Sequence, residues 1–510
     1  MWHTLSIIGA ILLLVAVYDL LQRKHAILRN FPIIGHFRYL LEAVGPELRQ
    51  YIVTNNDEER PFSRDQRRWV YASSKKQNNY FGFGTDSEVE LTSNYLIVKH
   101  AAFGLPSPSP GDPDYDPLHL VPCAKILGGW RGRKHAFRPK SIINVSAMSF
   151  GSLSAPAVEA INQGCAAAEA LHNTGEGGIA PYHDHGGGLI YQIGTGYFGA
   201  RETDGKFSIS KFLDTVGKHD VRAIEVKLSQ GAKPGRGGVL PGAKVTPDIA
   251  EIRGVPVGRD VISPAGHTAF HDADSLLDFV EMLADETGLP VGIKSAIGEM
   301  KFWDDLGRLM APGDRGVDFV AIDGGEGGTG AAPLVFCDHV ALPFKIALSR
   351  VYTLLASHDV HEKVVLIGSG KTGFPETALL AIAMGCDMVG VAREALMAIG
   401  CIQAQRCHTG HCPTGVATQG KWLMRGLDPT HKGNRLANYL IALRKEILWL
   451  ARACGVPHPS LVTPEHFEIL DGRFGGVSAH ELFEYQEDWG MPSAKDQATI
   501  REIMAKTAAS

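Results

Sequence analysis

The feature that most constrains the fold is a regular alternation of short apolar runs with helical patterns between residues 141 and 393. The runs are rich in β-branched residues and short enough to be buried parallel strands. They are SIINVSAM (141–148), LIYQIGTG (189–196), RAIEVKLS (222–229), DVISPA (260–265), PVGIKSA (290–296), FVAIDGG (319–325), VVLIGSG (364–370) and MVGVAR (388–393). About eight such units over roughly 250 residues predict an α/β fold of the (β/α)8 barrel type. An open doubly wound sheet is the alternative.

Glycine-rich clusters follow several of these runs. The chain has 58 glycines, and many fall in stretches such as MSFGS, DGGEGGTG and GSGKTG. Active sites of (β/α)8 barrels lie at the carboxyl ends of the strands, so these stretches are the candidate ligand loops. The net charge is −5 and the chain has no long basic run, which argues against nucleic acid as a partner.

The chain divides into four segments by composition. Residues Leu5 to Leu21 are almost all apolar and are followed by Arg23, Lys24 and His25, which predicts a membrane anchor over 1–25. The basic flank predicts a single-pass protein of the cell inner membrane with its catalytic part in the cytoplasm. A helix in the membrane interface and a signal peptide are the alternatives. We expect an irregular, partly helical cover over 26–117, the barrel over 118–420 and a C-terminal helical segment over 421–510.

The stretch GSGKTG, residues 368–373, fits a phosphate-binding loop. It satisfies the G-x-G-x-x-G pattern, but a dinucleotide fold places this turn after its first strand, whereas here one more unit follows it. Its position favours the phosphate site that barrels build after strands seven and eight, where Arg393 would add charge. A dinucleotide-binding turn and a purely structural turn remain the alternatives.

Three of the eight cysteines lie within twelve residues, as Cys401, Cys407 and Cys412 in the segment 401–412. Clustered cysteines in a chain otherwise poor in them indicate metal ligation in a reducing compartment. Three ligands without a fourth cysteine nearby favour a three-iron cluster. A zinc site completed by His408 or His411, or three unligated thiols, are the alternatives.

The motifs SAMSFGSLS, NTGEGG, AIEVKLSQGAKPGRGGVLPG, VISPAGH, GGEGGTGAAP, GSGKTG and CIQAQRCHTGHCPTGVAT occur in this order between residues 78 and 419. In these stretches the chain resembles the FMN-binding domain of glutamate synthase, and especially the short glutamate synthase-like proteins of bacteria. The resemblance implies FMN in the barrel mouth, a [3Fe-4S] cluster beside it and 2-oxoglutarate or a related keto acid as acceptor. It thus implies an oxidoreductase of the CH–NH2 class in glutamate biosynthesis.

The resemblance also implies roles for individual residues. Those that match flavin-binding positions are Met148, Ser149, Gln192, Lys294, Gly324, Gly325, Gly327, Gly328, Thr329, Gly368, Ser369, Gly370, Gly390, Val391 and Arg393. Those that match keto-acid-binding and catalytic positions are Glu176, Lys227, Lys233 and Arg253. Lysine and arginine suit this role because a buried dicarboxylate needs paired cations.

The chain departs from the family at two points. Val239 stands where the keto-acid loop of the family has glutamine, which removes a hydrogen-bond partner and puts the substrate in question. The chain has no amidotransferase domain, so a separate subunit or free ammonia would supply nitrogen. It shows no NAD(P)H site, so a reductase subunit or ferredoxin would supply electrons. An N-methylglutamate-type synthase and a membrane-tethered electron-transfer protein are the alternative functions.

Overall fold

The computed structural model describes residues 2–22, 24–56, 58–113 and 115–507, with the side chains of 506 and 507 left out. The chain forms two compact units, residues 1–68 and residues 69–510. Arg23, which belongs to the predicted basic flank of the anchor, lies outside the described residues.

The first unit is helical. It contains α1 (Trp2–Leu21), α2 (Ala26–Asn30), α3 (Ile34–Leu48) and a π-helical turn (Arg49–Val53). Within the described residues, α1 is the one helix that is long and apolar enough to cross a membrane, with a mean hydropathy of 2.3. The apolar run that suggested an anchor is therefore a continuous helix, and its membrane location stays a prediction.

The second unit contains the β-structure. Its strands are β1 (Tyr95–Val98), β2 (Ile143–Val145), β3 (His172–Asn173), β4 (Leu189–Ile193), β5 (Val221–Lys227), β6 (Val239–Leu240), β7 (Val261–Ile262), β8 (Val291–Ala296), β9 (Phe319–Asp323), β10 (Val365–Ser369), β11 (Met388–Val391), β12 (Phe467–Leu470) and β13 (Gly476–Ser478). Strands β2, β3, β4, β5, β8, β9, β10 and β11 pair in parallel in this order, and β11 closes on β2. The predicted eight-stranded α/β barrel is confirmed.

Helices connect and surround the barrel strands. They are α4 (Arg64–Ser74), α5 (Ala155–Ala167), α6 (Ile209–Lys218), α7 (Pro247–Arg253), α8 (Ala273–Thr287), α9 (Lys301–Met310), α10 (Leu334–His339), α11 (Phe344–Ser357), α12 (Pro375–Ala383), α13 (Arg393–Ala398), α14 (Lys421–Met424), α15 (Pro429–Ala453), α16 (Ala479–Leu482) and α17 (Ala494–Thr507). The residues at its two ends explain where α8 begins and ends. The Asp272 side chain accepts a hydrogen bond from the Ser275 N–H at 2.8 Å, and the helix ends at Gly288 with φ +70°.

One predicted barrel strand is wrong. The run DVISPA forms only β7, which pairs antiparallel with β6 outside the barrel. The strand missing from the prediction is β3, only two residues long, which lies between β2 and β4. Two residues are too few to show a period in the sequence, whereas an apolar run in a long connection imitates a buried strand.

The segment from residue 421 onward was predicted to be helical, and it also contains strands. β12 pairs antiparallel with β1 of the predicted cover and with β13, so both ends of the second unit share a small sheet. Helix α15 packs so closely on α5 that a Cβ atom added to Gly164 would lie only 2.7 Å from the Leu436 side chain. The predicted C-terminal segment is thus packed against the barrel.

Apolar side chains fill the barrel interior away from the carboxyl ends of the strands. The buried cluster includes Ile190, Phe319, Val365, Ile367 and Met388, which lie near the amino ends or middles of their strands. The interior is therefore a packed core, and the residues available for chemistry lie at the carboxyl ends.

Candidate active site

An ion pair between buried Lys227 and partly exposed Glu176 lies at the carboxyl end of β5. Lys227 is the last residue of that strand, and its Nζ donates to Glu176 Oε1 at 2.7 Å and to Gln230 Oε1 at 3.1 Å. Glu176 lies in the loop that follows β3. Two loops that are about fifty residues apart in sequence thus meet in one contact at the barrel mouth.

Two more cations lie around Glu176. Burial would raise the pKa of Glu176, but the charges of Lys227, Lys233 and Arg253 together lower it to about 2. Burial and the neighbouring Lys227 lower the pKa of Lys233 to about 8. Burial also lowers the pKa of Arg253 to about 10, against the opposing charge of Glu176. The structure therefore brings together all four residues that the sequence assigned to the keto acid.

This cluster carries a surplus of positive charge. Three cations share one carboxylate, and each cation is at most 9 % exposed. Arg253 Nη2 donates to Ser149 Oγ at 3.3 Å and to the Phe150 carbonyl at 3.0 Å, while its Nε is buried without a hydrogen-bond partner. Buried charges are costly unless they are paired. The cluster is therefore suited to bind an anion with more than one carboxylate.

Glycines allow the backbone to approach Glu176 closely. A Cβ at Gly194 would lie 2.4 Å from Glu176 Oε2, and one at Gly238 would lie 2.9 Å from Oε1. Any side chain at Gly194 would collide with the carboxylate. The glycine-rich loops are thus required by the packing around this group.

Polar residues also line the barrel interior just below the mouth. Gln192 Nε2 and Asn173 Nδ2 both donate to Glu225 Oε1, the latter at 2.9 Å. Lys294 Nζ lies 3.6 Å from Asp323 Oδ2. Burial acts to lower the pKa of Lys294, but Asp323 and Glu225 raise it overall. Gln192 and Lys294, both predicted flavin contacts, are thus held inside the barrel mouth by Glu225 and Asp323.

The sequence analysis did not assign Glu225 and Asp323. Both stand in otherwise apolar strand runs, AIEVK and FVAID, where a charged residue needs a partner. A charged residue in an apolar strand run was the sequence signal that could have identified both residues as part of the site.

His267 is a further residue that the sequence analysis left unassigned. Tyr197 Oη accepts from the Thr268 and Ala269 N–H groups at 3.0 and 3.1 Å, so its own proton is directed to His267 Nδ1 at 3.1 Å. His267 Nε2–H therefore donates to the Lys227 carbonyl at 2.9 Å. Burial lowers the pKa of His267, which agrees with a neutral ring. Its contact fixes the backbone of the lysine that pairs with Glu176.

The predicted phosphate loops follow the seventh and eighth barrel strands. Gly368 and Ser369 end β10, Gly370 follows, and Gly390 and Val391 lie in β11. A Cβ at Gly390 would meet nothing nearer than the Ser146 side chain at 3.5 Å. The Oδ1 atom of Asn144, the register partner of Gly390, is buried without a hydrogen-bond partner.

The remaining predicted flavin residues lie in neighbouring loops. Met148 and Ser149 follow β2. They pack tightly against the loop of Glu176, since a Cβ atom added to Gly175 would lie only 2.6 Å from the Ser149 N. The loop of Gly324, Gly325, Gly327, Gly328 and Thr329 follows β9. Arg393 Nη2 donates to the Glu326 carbonyl at 2.6 Å and so joins this loop to α13. Glycine loops at the carboxyl ends of neighbouring strands, with the Arg393 guanidinium beside them, fit a phosphorylated ligand such as FMN, and the Asn144 acceptor suits a donor group of such a ligand.

The cysteine segment lies beside these loops. A Cβ at Gly330 would lie 3.2 Å from Cys407 Cβ, and Lys244 Nζ donates to the Cys407 carbonyl at 2.8 Å. Burial and the nearby Cys412 raise the pKa of Cys407. Burial would raise the pKa of Cys412, but hydrogen bonds from Thr414 and from the backbone lower it overall.

The three thiols are not assembled into a metal site. Among the described residues, no group of three histidine, cysteine or acidic side chains is placed to hold a metal ion. Cys401 and Cys407 are partly exposed and Cys412 is buried, and none of the three forms a disulfide. The thiol donor set suits iron or zinc.

The Val239 departure lies in β6, next to the charge cluster. A Cβ at Gly151 would lie 3.2 Å from Arg253 Nη2 and 3.3 Å from Leu240 Cδ2, so Leu240 and Arg253 line the same small space. Val239 itself pairs with Ile262 of β7. This side of the site is therefore more apolar than a glutamine at position 239 would make it.

Comparisons with known proteins identify the family of the chain. The conserved region in glutamate synthase matches residues 131–457. The glutamate synthase large subunit-like protein YerD of Bacillus subtilis is 37 % identical over 88 % of this chain and 91 % of its own length. The archaeal glutamate synthase [NADPH] of Methanocaldococcus jannaschii is 36 % identical over 62 % of this chain, and the chain spans 59 % of that protein.

Among solved structures, the recombinant flavin-binding domain of baker's yeast flavocytochrome b2 is similar over 90 % of this chain and 92 % of that chain. The identity is 15 % and the TM-score 0.43, which is too low to carry an argument about the cofactor. The family match covers more than half of the chain, and YerD matches most of it. The chain therefore belongs to the glutamate synthase family.

Proposed function

We propose that this chain is a flavin-dependent oxidoreductase that reductively aminates 2-oxoglutarate, through 2-iminoglutarate, to L-glutamate. The observation that carries the proposal is the charge cluster of Glu176, Lys227, Lys233 and Arg253 at the barrel mouth. A surplus of buried cations there is suited to a dicarboxylate, and family membership supports the reaction class.

The residues of the cluster have separate roles in this proposal. Lys233 and Arg253 bind the substrate carboxylates, because both are buried cations that lack a full counter-charge. Lys227 orients Glu176, which is ionised at neutral pH and available to exchange a proton at the substrate nitrogen. His267 holds the Lys227 backbone in place.

The cofactors of the proposal are FMN and a [3Fe-4S] cluster. When bound, they supply two-electron reduction of the imine from electrons that arrive singly. Gln192, Lys294 and the loop from Gly324 to Thr329 would hold the flavin. The loops of Gly368 to Gly370 and Gly390 to Arg393 would hold its phosphate. Cys401, Cys407 and Cys412 would hold the cluster, a role that their spacing and the resemblance support.

The partners follow from what such a reaction needs. A separate donor, either a reductase subunit or ferredoxin, would supply the electrons, and another subunit or free ammonia would supply the nitrogen.

Helix α1 would anchor the chain in the cell inner membrane by a single span. The basic residues after α1 favour a cytoplasmic location for the catalytic unit. Protease accessibility in spheroplasts and in inverted vesicles tests this orientation.

The apolar side of the site favours a second candidate, an N-methylglutamate-type synthase. Leu240 places an aliphatic group near Arg253, and Val239 next to it replaces the glutamine of the family, so this side would accommodate a methyl group better than an amide. Parallel assays with ammonia and methylamine separate the two candidates. A membrane-tethered electron-transfer protein would instead be indicated if neither amine with 2-oxoglutarate reoxidised the reduced protein above the background rate.

Anaerobic purification with quantification of flavin and iron tests the proposal directly. We expect one FMN and about three iron atoms per chain. We also expect the reduced protein to be reoxidised by 2-oxoglutarate plus an amine, and not by 2-oxoglutarate alone. A colourless protein, free of flavin and iron even after reconstitution, would refute the proposal.

A further inference from the structure

Helix α3 of the first unit exposes an apolar stripe that no function described above explains. Ile34, Phe37, Leu41, Val44 and Leu48 are between 40 and 76 % exposed. Their spacings of three and four residues place them on one helical face. Contiguous apolar surface of this kind marks a contact with a membrane or a protein.

The start of α3 is fixed to the end of α1. Asp19, in the last turn of α1, is completely buried. Its Oδ2 accepts from the Ile33 N–H at 2.9 Å, and His36 Nε2 lies 3.0 Å from both carboxylate oxygens. A carboxylate in an apolar helix is costly unless it is paired, and these contacts pair it. The apolar stripe of α3 therefore begins at the level where the apolar surface of α1 ends.

Most of the charges around this junction are positive, although Arg38 also pairs with Glu42 at 2.7 Å. Between Asp19 and Glu42 the sequence contains no aspartate or glutamate, whereas it contains Lys24, Arg29 and Arg38 in addition to Arg23, which is outside the described residues. Cations beside an apolar helical face complement the anionic headgroups of a bilayer. The charge favours a lipid surface over a protein partner of unspecified chemistry.

We propose that α3 lies in the headgroup region of an anionic bilayer, with its apolar stripe toward the acyl chains, on the side where α1 leaves the membrane. The Asp19 contacts hold α3 at that depth. The proposal extends the membrane span proposed for α1 and is independent of the redox chemistry.

Site-specific photo-crosslinking of the full-length protein tests this placement. The crosslinker p-benzoylphenylalanine replaces Leu13 in α1, Phe37 or Leu41 on the apolar face of α3, or Glu42 on its polar face. The protein is reconstituted in phosphatidylcholine vesicles with or without phosphatidylglycerol, and lipid adducts are quantified by mass spectrometry. We expect position 37 to yield at least tenfold more lipid adduct than position 42 in the anionic vesicles, and position 13 to react in both.

Each other outcome overturns the placement in a distinguishable way. Lipid adducts at position 13 with equal yields at positions 37 and 42 would mean that α1 enters the bilayer while α3 does not lie in it. Adducts from position 37 to protein would assign the stripe to a second copy or to the rest of the chain. No lipid adduct at any position would also refute the span of α1, while the flavin and iron content would still test the redox function separately.

A charge reversal tests the headgroup contact. We expect Arg29→Glu combined with Arg38→Glu to lower the adduct yield at position 37 several-fold in anionic vesicles and to leave it unchanged in neutral ones. Lys206→Glu is the matched control, since Lys206 is a highly exposed cation in the second unit. Equal yields from the double variant and the unchanged chain in anionic vesicles would refute the role of anionic lipid.

Discussion

The charge cluster and the cysteine segment lie at the same end of the barrel but differ in how completely the protein assembles them. Glu176 comes from the loop after β3, Lys227 from the end of β5, and Lys233 and Arg253 from the connection between β5 and β8, yet the four already interact with one another. The cysteines lie within twelve residues of one another, yet in the described part of the chain no three potential metal ligands form a site.

The difference follows from the forces that hold each set. Opposite charges attract one another in the absence of a ligand, so the protein pairs them as it folds. Thiols do not attract one another, and a metal site gains its geometry from the metal, whose binding is coupled to folding of the ligand segment. The first region is preorganised by the chain, whereas the cluster proposed for the cysteines would complete the second.

The largest expected effect tests the cysteine side of this comparison. We expect Cys412→Ser to abolish the iron content and the cluster absorption, since a three-ligand site loses a third of its ligands. Iron and sulfide analysis with electron paramagnetic resonance measures the loss. Cys454→Ser is the control, because Cys454 is a buried thiol whose Sγ contacts the Lys99 carbonyl outside this segment. Full iron content in the Cys412 variant would remove this residue from the ligand set.

The next largest effect is expected at Glu176, in the preorganised charge cluster. We expect Glu176→Gln to lower kcat by roughly 10²- to 10⁴-fold, the usual contribution of a general acid or base. The change also leaves three buried cations without their shared carboxylate, which costs roughly 3–5 kcal/mol in the free energy of unfolding. Steady-state kinetics and denaturant unfolding measure the two effects. Glu251→Gln, an exposed change on α7, should alter neither, and an unchanged kcat for Glu176→Gln would exclude proton transfer by this residue.

A smaller, pH-dependent effect concerns Lys233. Its pKa of about 8 means that it is charged below that pH and loses its charge above it. Because a dicarboxylate binds the charged form, we expect the KM for the keto acid to rise up to tenfold per pH unit above about 8. Lys233→Arg should remove this rise, since arginine stays protonated. A rise that persists unchanged in the arginine variant would assign the titration to another group.

The same depressed pKa gives a prediction for stability. Between about 8 and the ordinary lysine value of 10.5, the unfolded chain holds more protons at position 233 than the folded chain does. The contribution of Lys233 to the free energy of unfolding therefore increases with pH across that window. Urea denaturation of the parent and of Lys233→Met across the window measures this contribution, which should be absent in the variant.

The smallest expected effect concerns His267. We expect His267→Gln to raise the KM for the keto acid a few-fold and to change kcat little, because His267 acts through the Lys227 backbone and not on the substrate. The KM-to-kcat split in steady-state kinetics distinguishes this from a catalytic role. A selective loss of kcat with an unchanged KM would show that His267 takes part in the reaction itself.

Much of this architecture is readable from local sequence. Seven of the eight barrel strands coincide with apolar runs, and glycine loops follow several of them. Of the charge cluster, Lys227 ends one of these strands, Lys233 and Arg253 lie in the connection after it, and Glu176 follows β3. The exception, β3, was missed because His172 and Asn173 are too short a strand to carry a periodic signal. The run DVISPA was assigned in its place because local apolarity does not show which strand will be its neighbour.

The sequence by itself determined the barrel, the family and the residue types of the site, because these depend on periodicity and on motifs in a fixed order. Only the tertiary structure decided which charges meet. Glu225 with Gln192, Asp323 with Lys294, and Asp19 with His36 are pairs between separate elements. Such pairs form because burial makes an unpartnered polar group costly, and burial is a property of the folded chain that no local pattern encodes.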